Sequence, residues 1–410
     1  MPSFFSWLDY SEHEKRKMLD VINLFRERDT RDELGIGTVR DAFSDMLFPG
    51  TSTIQTRAKY FLFIPWMYLD IERRKVPSER VADEARRTEI KLINALAESD
   101  DRDGIIGIEA RASLKRLPSN IYWQGLGTWG IRLISDSQDS YHRSLNYFYE
   151  SSKRIQRNDD GEPVSGNVMG NWHGNIPGKP SEFPGGASFS LSKEEAEYLS
   201  ERVFSRAQNT LMSFLISQKE ELPAISFPWE ITHFAESTLP GHLQEQLIHA
   251  RNFSTTIYGA ALLYNLMLSQ KADGREDQDD LIIDYEEAFA EWADEIKALE
   301  PELQAWDRKT RFWEIVKQND ANIPLQTKKF IDTWLDIVFA SDSLKDMARN
   351  DFARKLIKNR EITLKRNQAR LDNQRALEQW SGAAGTIQLN YRWRRPVLTI
   401  INDIVKGLNS

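Results

Sequence analysis

Positively charged side chains recur between residues 343 and 380 at spacings that favour one side of a helix. Lys358 and Lys365 lie seven positions apart, and Arg366 and Arg370 lie four apart, so each pair shares a helical face. A row of cations along a helix matches the regularly spaced phosphates of a nucleic acid. This segment therefore predicts a phosphate-binding surface, with DNA as a candidate partner.

A second group of cations follows in the stretch YRWRR, where charged and aromatic residues are interleaved. Cations in such a stretch can bind phosphates while the aromatic ring stacks on a base. The candidate residues for this contact are Arg392, Trp393, Arg394 and Arg395.

The charge of the chain is unevenly distributed. The 410 residues carry a net charge of −8, but residues 341–410 hold 14 Lys and Arg against 7 Asp and Glu, which leaves −15 for the rest. Such asymmetry is typical of a nucleic-acid-facing segment. The alternative is that the basic helix pairs with the acidic segment 273–302 of the same molecule. The sequence leaves both interpretations open.

A third candidate lies in the stretch FPGTSTIQTRAK. If a helix begins near Ser52, then Thr51, Ser52 and Thr53 surround free backbone amides of the kind that bind a phosphate. Arg57 and Lys59 follow one turn later. The alternative is an ordinary N-cap in front of a buried aromatic helix.

Glutamate and histidine side chains raise the possibility of a metal site. Glu230 and His233 have the Glu-x-x-His spacing of di-iron bundles. Such bundles need that pair twice, whereas His242 and Glu245 occur in the reverse order. We therefore predict no bound metal and no cofactor, and we keep a metal-dependent enzyme as the alternative.

Several other chemistries lack their motifs. The chain has no Cys, which excludes disulfides, cysteine-ligated metals and cysteine nucleophiles. It has no P-loop, no GxSxG elbow and no HExxH pair. His173, within Trp-His-Gly, stands alone in a long loop and points to no particular chemistry.

The elements that must position these residues are mainly α-helical. Capping boxes at Ser11–Glu14 and Ser192–Glu195 predict helix starts. Two helices around Pro49-Gly50 suggest a small helix-turn-helix-like N-terminal part. One long helix is predicted over 343–379, and at most a short strand or hairpin over IQLNYRW (387–393). The predicted architecture is a multi-helix bundle.

Composition divides the chain into two helical domains. Residues 156–187 are rich in Gly and Pro, so we predict a linker or loop there, between an N-terminal domain (1–155) and a C-terminal domain (188–410). No run approaches the roughly 20 apolar residues that cross a bilayer, and no signal-peptide pattern is found. We expect a cytoplasmic protein without a membrane partner.

Three segments together resemble a known family: SWLDYSEHEKRKMLDVI, LGIGTVRDAFSDMLFPGTSTIQTRAKYFLFIPW and IQLNYRWRRPVLTIINDI. The family is an uncharacterised bacterial domain of unknown function, found in anti-phage defence loci beside a large helicase that carries a phospholipase-D-type nuclease domain. The resemblance implies a defence-system subunit that works with DNA-processing partners. It implies no catalytic residues.

These observations give one expectation and one alternative. The expected function is that of a non-enzymatic defence subunit that binds DNA, scaffolds a helicase–nuclease partner, or does both. The alternative is a metal-dependent enzyme, such as a nuclease, that uses Glu230, His233, His242 and Glu245.

Overall fold

A computed structural model describes residues 33–153, 170–231, 239–384 and 388–410. In these ranges the chain is mainly helical and forms no strand, which confirms the predicted fold class. The predicted capping box at Ser11–Glu14 lies outside the described residues, as does residue 387 of the predicted strand.

Fifteen α-helices are found in the described part of the chain. They are α1 (Gly37–Leu47), α2 (Tyr60–Arg73), α3 (Ser78–Ala97), α4 (Pro118–Thr128), α5 (Gln138–Lys153), α6 (Lys193–Arg206), α7 (Leu211–Gln218), α8 (Gly241–Ser269), α9 (Gln278–Ala298), α10 (Glu300–Ala305), α11 (Arg311–Val316), α12 (Leu325–Ala340), α13 (Asp351–Lys365), α14 (Gln374–Leu377) and α15 (Leu398–Leu408). None of them is long and apolar enough to cross a membrane.

The chain forms two compact units. The first unit comprises Met1–Asp41 and Ile248–Leu389, and the second comprises Ala42–Leu247 and Asn390–Ser410. The division predicted at 156–187 stays a prediction, and residues 156–169 of that segment lie outside the described ranges.

The core of the second unit is built on α2, whose residues from Tyr60 to Tyr68 are all buried. Phe61 stacks on Trp129 with ring centroids 3.9 Å apart. The predicted start of this helix near Ser52 is wrong, because α2 begins at Tyr60. Residues 48–59 separate α1 from α2, a longer connection than the short turn of a helix-turn-helix motif.

Side-chain contacts explain the late start of α2. The Thr51 hydroxyl donates to the carbonyl of Phe48 at 2.7 Å, and the Gln55 amide group donates to the carbonyl of Gly50 at 3.1 Å. The Ser52 N–H donates to the Gln55 side-chain oxygen at 3.2 Å. These bonds satisfy the backbone locally and favour a turn over a helix.

The capping box predicted at Ser192 is confirmed. The Ser192 hydroxyl accepts the N–H of Glu195 at 3.3 Å, and the Glu195 carboxylate accepts the N–H of Ser192 at 2.8 Å. The backbone N–H groups at both ends of the box thereby gain hydrogen-bond partners at the start of α6.

The core of the first unit surrounds α8. The indole N–H of Trp292 donates to the carbonyl of Thr255 at 2.7 Å, and that of Trp334 donates to the carbonyl of Thr256 at 2.9 Å. Gly259 permits this packing, because a Cβ there would lie 2.4 Å from the Trp292 ring. Two backbone carbonyls of α8 thus accept hydrogen bonds from indole groups that pack against this helix.

The single long helix predicted over 343–379 is wrong. Lys345–Arg349 form a 3-10 turn before α13, and Arg366–Gln368 form another after it. Asn350 starts α13 by accepting the N–H groups of Phe352 and Ala353. Helical geometry ends at Arg366, where φ is 49°.

Candidate functional site

Two of the predicted phosphate-binding cations face buried carboxylates in the first unit. Glu361 has no exposed side-chain surface, and Glu33 has only 5%. The Lys365 ammonium lies 3.4 Å from the Glu361 carboxylate and also contacts Glu33. The Arg370 guanidinium lies 3.3 Å from Glu33. Each cation therefore compensates a charge that the fold has buried.

Glu361 is the centre of this network. Its carboxylate accepts the backbone N–H groups of Arg370 and Leu371 at 2.8 and 3.0 Å, and the Tyr264 hydroxyl donates to it. Burial raises the pKa of Tyr264, so this hydroxyl keeps its proton. The network fixes the chain just after α13 and is structural.

Lys358 and Arg366 complete the predicted row. Lys358 lies 2.6 Å from Asp372, and both side chains are partly exposed. Arg366 is exposed at the end of α13. The carboxylates that contact Lys358, Lys365 and Arg370 all lie outside the acidic segment 273–302, which was the pairing partner considered from the sequence.

The side of α13 that faces solvent has a different character. Phe352 is 60% exposed and Ile362 is 37% exposed, and Lys355 and Asn359 lie exposed between them. The spacing of three, seven and ten residues places the four on one helical face. With Arg366 at its end, we call this set the outer face of α13.

In the second unit, the cations near α2 also have carboxylate partners. Arg57 binds Asp403 and lies 2.6 Å from Asp101. Lys59 is buried, lies 2.9 Å from Glu195 and donates to the carbonyl of Ser190. Both side chains tie the turn before α2 to other parts of the second unit.

The three hydroxyl residues before them do not lie at a helix N-terminus. Thr51 is buried with its hydroxyl bonded to the carbonyl of Phe48, while Ser52 is partly exposed and Thr53 is exposed. The amide arrangement expected to receive a phosphate is therefore not formed by these residues.

The stretch from Arg392 to Arg395 is divided between core and surface. Arg392 donates at 2.7 Å to both Asp45 and the carbonyl of Thr51. Trp393 is buried, so its ring cannot stack on a base. Arg394 is exposed, and Arg395 is three-quarters exposed, 3.5 Å from Asp103.

The alternative metal ligands are separately engaged. The Glu230 carboxylate accepts the N–H of Ser226 at 2.9 Å, and the His242 ring contacts the carbonyl of Asn209 at 3.0 Å. Glu245 lies partly exposed on α8, and His233 lies outside the described residues. Within the described ranges, no three His, Asp or Glu side chains form a group that could hold a metal.

Sequence reasoning missed a half-buried acid in the second unit. Glu72 accepts hydrogen bonds from Tyr141 at 2.6 Å, Asn171 at 3.0 Å and Trp172 at 3.1 Å. Burial raises the pKa of Glu72. The available signal for this site was Trp172, next to Asn171 in a Gly-rich loop. A large aromatic residue in such a loop indicates that the loop packs against another element.

The fold and these contacts define a protein that is mainly helical in its described part, and in which seven of the cations predicted to bind phosphate contact carboxylates instead. Residues 2–400 match a family described as "Family of unknown function (DUF6361)", and the chain belongs to this family. Comparisons with curated proteins and with solved structures gave no match.

Proposed function

We propose that the protein is a non-enzymatic, cytoplasmic subunit of a bacterial anti-phage defence system. In this role it scaffolds a helicase–nuclease partner, which docks on the outer face of α13. The defence context comes from the family resemblance of the three sequence segments. One observation carries the scaffold role. Two large apolar side chains, Phe352 and Ile362, are exposed on the same helical face as the cations Lys355 and Arg366.

The composition of this face favours a protein partner. Fully burying a Phe or Ile side chain contributes about 1.5 to 3 kcal/mol, and aromatic and Arg residues are enriched among residues that dominate interfaces. The flanking cations favour an acidic rim on the partner, which would steer its approach. The matching surface is therefore apolar at its centre and acidic at its edge.

The same observations make DNA the lesser candidate. Seven of the predicted contact residues already contact carboxylates, namely Arg57, Lys59, Lys358, Lys365, Arg370, Arg392 and Arg395. A phosphate would have to displace those partners. On the outer face of α13, Lys355 and Arg366 would neutralise about two phosphates, which gives a salt slope of only about −2.

Co-purification tests the scaffold role. The protein is tagged and expressed with a helicase–nuclease of the kind that the family resemblance implies, and the retained partner is measured. We expect the wild type to retain it and the variant Phe352→Ala/Ile362→Ala to lose it. The control is Lys317→Glu/Lys329→Glu, which changes two exposed residues of the first unit that are not part of α13.

Two results would refute the proposal. One is a wild-type protein that does not retain the partner at low salt. The other is tight duplex binding whose salt slope is near −6 or steeper, since that slope needs about seven phosphate contacts and hence a surface other than the outer face of α13.

A further inference from the structure

Arg202 on α6 is a buried cation that has no carboxylate partner among the described residues. Its residue is 6% exposed. One terminal nitrogen contacts Nε2 of His173, and the other donates to the Ser205 hydroxyl. The Nε–H is buried and meets no acceptor among the described residues. Buried charges are normally paired, so Arg202 differs from the buried cations described above.

The groups around Arg202 hold an excess of hydrogen-bond donors. A neutral imidazole offers one acceptor nitrogen, yet both ring nitrogens of His173 face N–H groups. Arg202 contacts Nε2, and the N–H of Asn175 points at Nδ1 from 3.4 Å. The hydroxyl of Tyr198, one turn before Arg202, is buried and has no hydrogen-bond partner in the described part of the chain. The Tyr198 ring centroid lies 5.6 Å from that of His173.

A second arginine lies at the same place. The backbone N–H of His173 donates to the carbonyl of Ile131 at 2.8 Å. This bond places His173 beside the turn at Gly130. Arg206, exposed in the last turn of α6, lies against that turn, because a Cβ on Gly130 would be 2.7 Å from its Nε. Gly130 has a φ of 64°, which also favours glycine.

The local potential is positive. Burial lowers the pKa of His173, and the charges of Arg202 and Arg206 lower it further. The exposed Glu201 acts on His173 in the opposite direction. The cluster thus combines two guanidinium groups, an imidazole and a phenol, and within the described ranges no group pairs with the Arg202 Nε–H or the Tyr198 hydroxyl.

We propose that His173, Tyr198, Arg202 and Arg206 bind the phosphoryl group of a small molecule, either inorganic phosphate or a mononucleotide. The forked N–H groups of arginine match the oxygens of a phosphate, and charge-assisted bonds of this kind are strong. The exposed Arg206 and partly exposed His173 meet the ligand from solvent, and Arg202 supports it from behind. This site lies wholly in the second unit and is independent of the outer face of α13.

Isothermal titration calorimetry on the full chain in phosphate-free buffer tests the site, with inorganic phosphate and AMP as separate probes. We expect at least one probe to bind the wild type and Arg206→Gln to weaken that binding by about tenfold or more. Because Arg206 is exposed, this variant should fold. Lys193→Gln is the matched control, since it removes an exposed cation at the opposite end of the same helix and should bind like the wild type.

The two probes separate the sources of the phosphoryl group. Equal affinities indicate a site for the phosphoryl group alone, and tighter AMP binding indicates that the nucleoside adds contacts. The inference is overturned if neither probe binds at about 10 mM, a concentration that would reveal even weak affinity. It is equally overturned if Arg206→Gln binds as tightly as the wild type.

Discussion

The Arg57 guanidinium holds the Asp403 carboxylate through hydrogen bonds from two of its nitrogens. Nε donates to Oδ2 at 2.9 Å, and Nη2 donates to Oδ1 at 3.0 Å. Asp403 also accepts the N–H of Ala58 at 3.0 Å. Burial raises the pKa of Asp403, and Arg57 opposes that rise. A cation that the sequence assigned to phosphate thus joins the turn before α2 to α15.

Removing Arg57 should therefore cost stability. The variant Arg57→Met leaves the buried Asp403 carboxylate without its cation, so we expect the free energy of unfolding to fall by about 3 to 5 kcal/mol. Urea denaturation gives this value. The double variant Arg57→Met/Asp403→Asn should lose less free energy of unfolding than the two single variants lose when their losses are added. Strict additivity would show that the pair does not act as a unit.

Lys365 and Lys355 should behave differently although both lie on α13. Lys365→Met removes a cation from two buried carboxylates and should cost about 3 kcal/mol. Lys355→Met changes an exposed side chain and should alter the free energy of unfolding by less than about 0.5 kcal/mol. Thermal and urea unfolding of both variants measure the difference. An equal loss of free energy of unfolding in both variants would contradict the finding that Lys365 faces buried carboxylates and Lys355 faces solvent.

Glu89 should give the second unit a pH-dependent stability. Its buried carboxyl accepts the N–H and hydroxyl of Ser119 at 2.7 and 3.0 Å. Burial raises its pKa from 4.5 to about 7, although the bonds from Ser119 oppose the rise. Between these pH values the folded chain holds a proton that the unfolded chain has lost. The contribution of Glu89 to the free energy of unfolding therefore falls as pH rises through this window.

The variant Glu89→Gln removes this titration. Relative to the wild type, its free energy of unfolding should rise with pH between about 4.5 and 7 by up to about 1.4 kcal/mol per pH unit. Burial lowers the pKa of the nearby His142 to about 4, which acts in the opposite direction but is common to both proteins. Urea unfolding at several pH values gives the comparison, and parallel curves would rule out a raised pKa.

Gly259 should not tolerate a methyl group. Alanine improves helix propensity by about 1 kcal/mol, but overpacking a core costs about 1 to 3 kcal/mol. Because the new Cβ would lie 2.4 Å from the Trp292 ring, we expect Gly259→Ala to lower the free energy of unfolding. Gly241→Ala is the control, since that Cβ meets nothing within 4 Å. A stabilised Gly259→Ala variant would disprove close packing between α8 and Trp292.

Local patterns were predictable from the sequence. The Ser192–Glu195 box spans four residues, so its contacts follow from spacing alone. The break before α13 was also encoded locally, because Asn350 is a strong N-cap residue. The turn over 51–59 was missed, because the bonds of Thr51 and Gln55 to nearby carbonyls compete with a helix that the apolar pattern favoured.

The partners of the cations could not be predicted. Arg57 and Asp403 are 346 positions apart, and Lys365 and Glu33 are 332 apart, so no spacing rule connects them. The sequence indicates which side chains are charged but not which carboxylate lies opposite. The outer face of α13 was missed for a related reason, since Phe352 and Ile362 are residue types normally assigned to the core.

The central claim is that the outer face of α13 binds a protein partner. Its most direct test is the affinity of the proposed partner, a purified helicase–nuclease, for three proteins. These are the wild type, Lys355→Glu/Arg366→Glu and the control Lys317→Glu/Lys329→Glu. We expect the control to match the wild type, and charge reversal on the outer face to weaken binding by about tenfold or more, because like charges at an interface cost several kcal/mol. Equal affinity of the partner for all three proteins would contradict the claim.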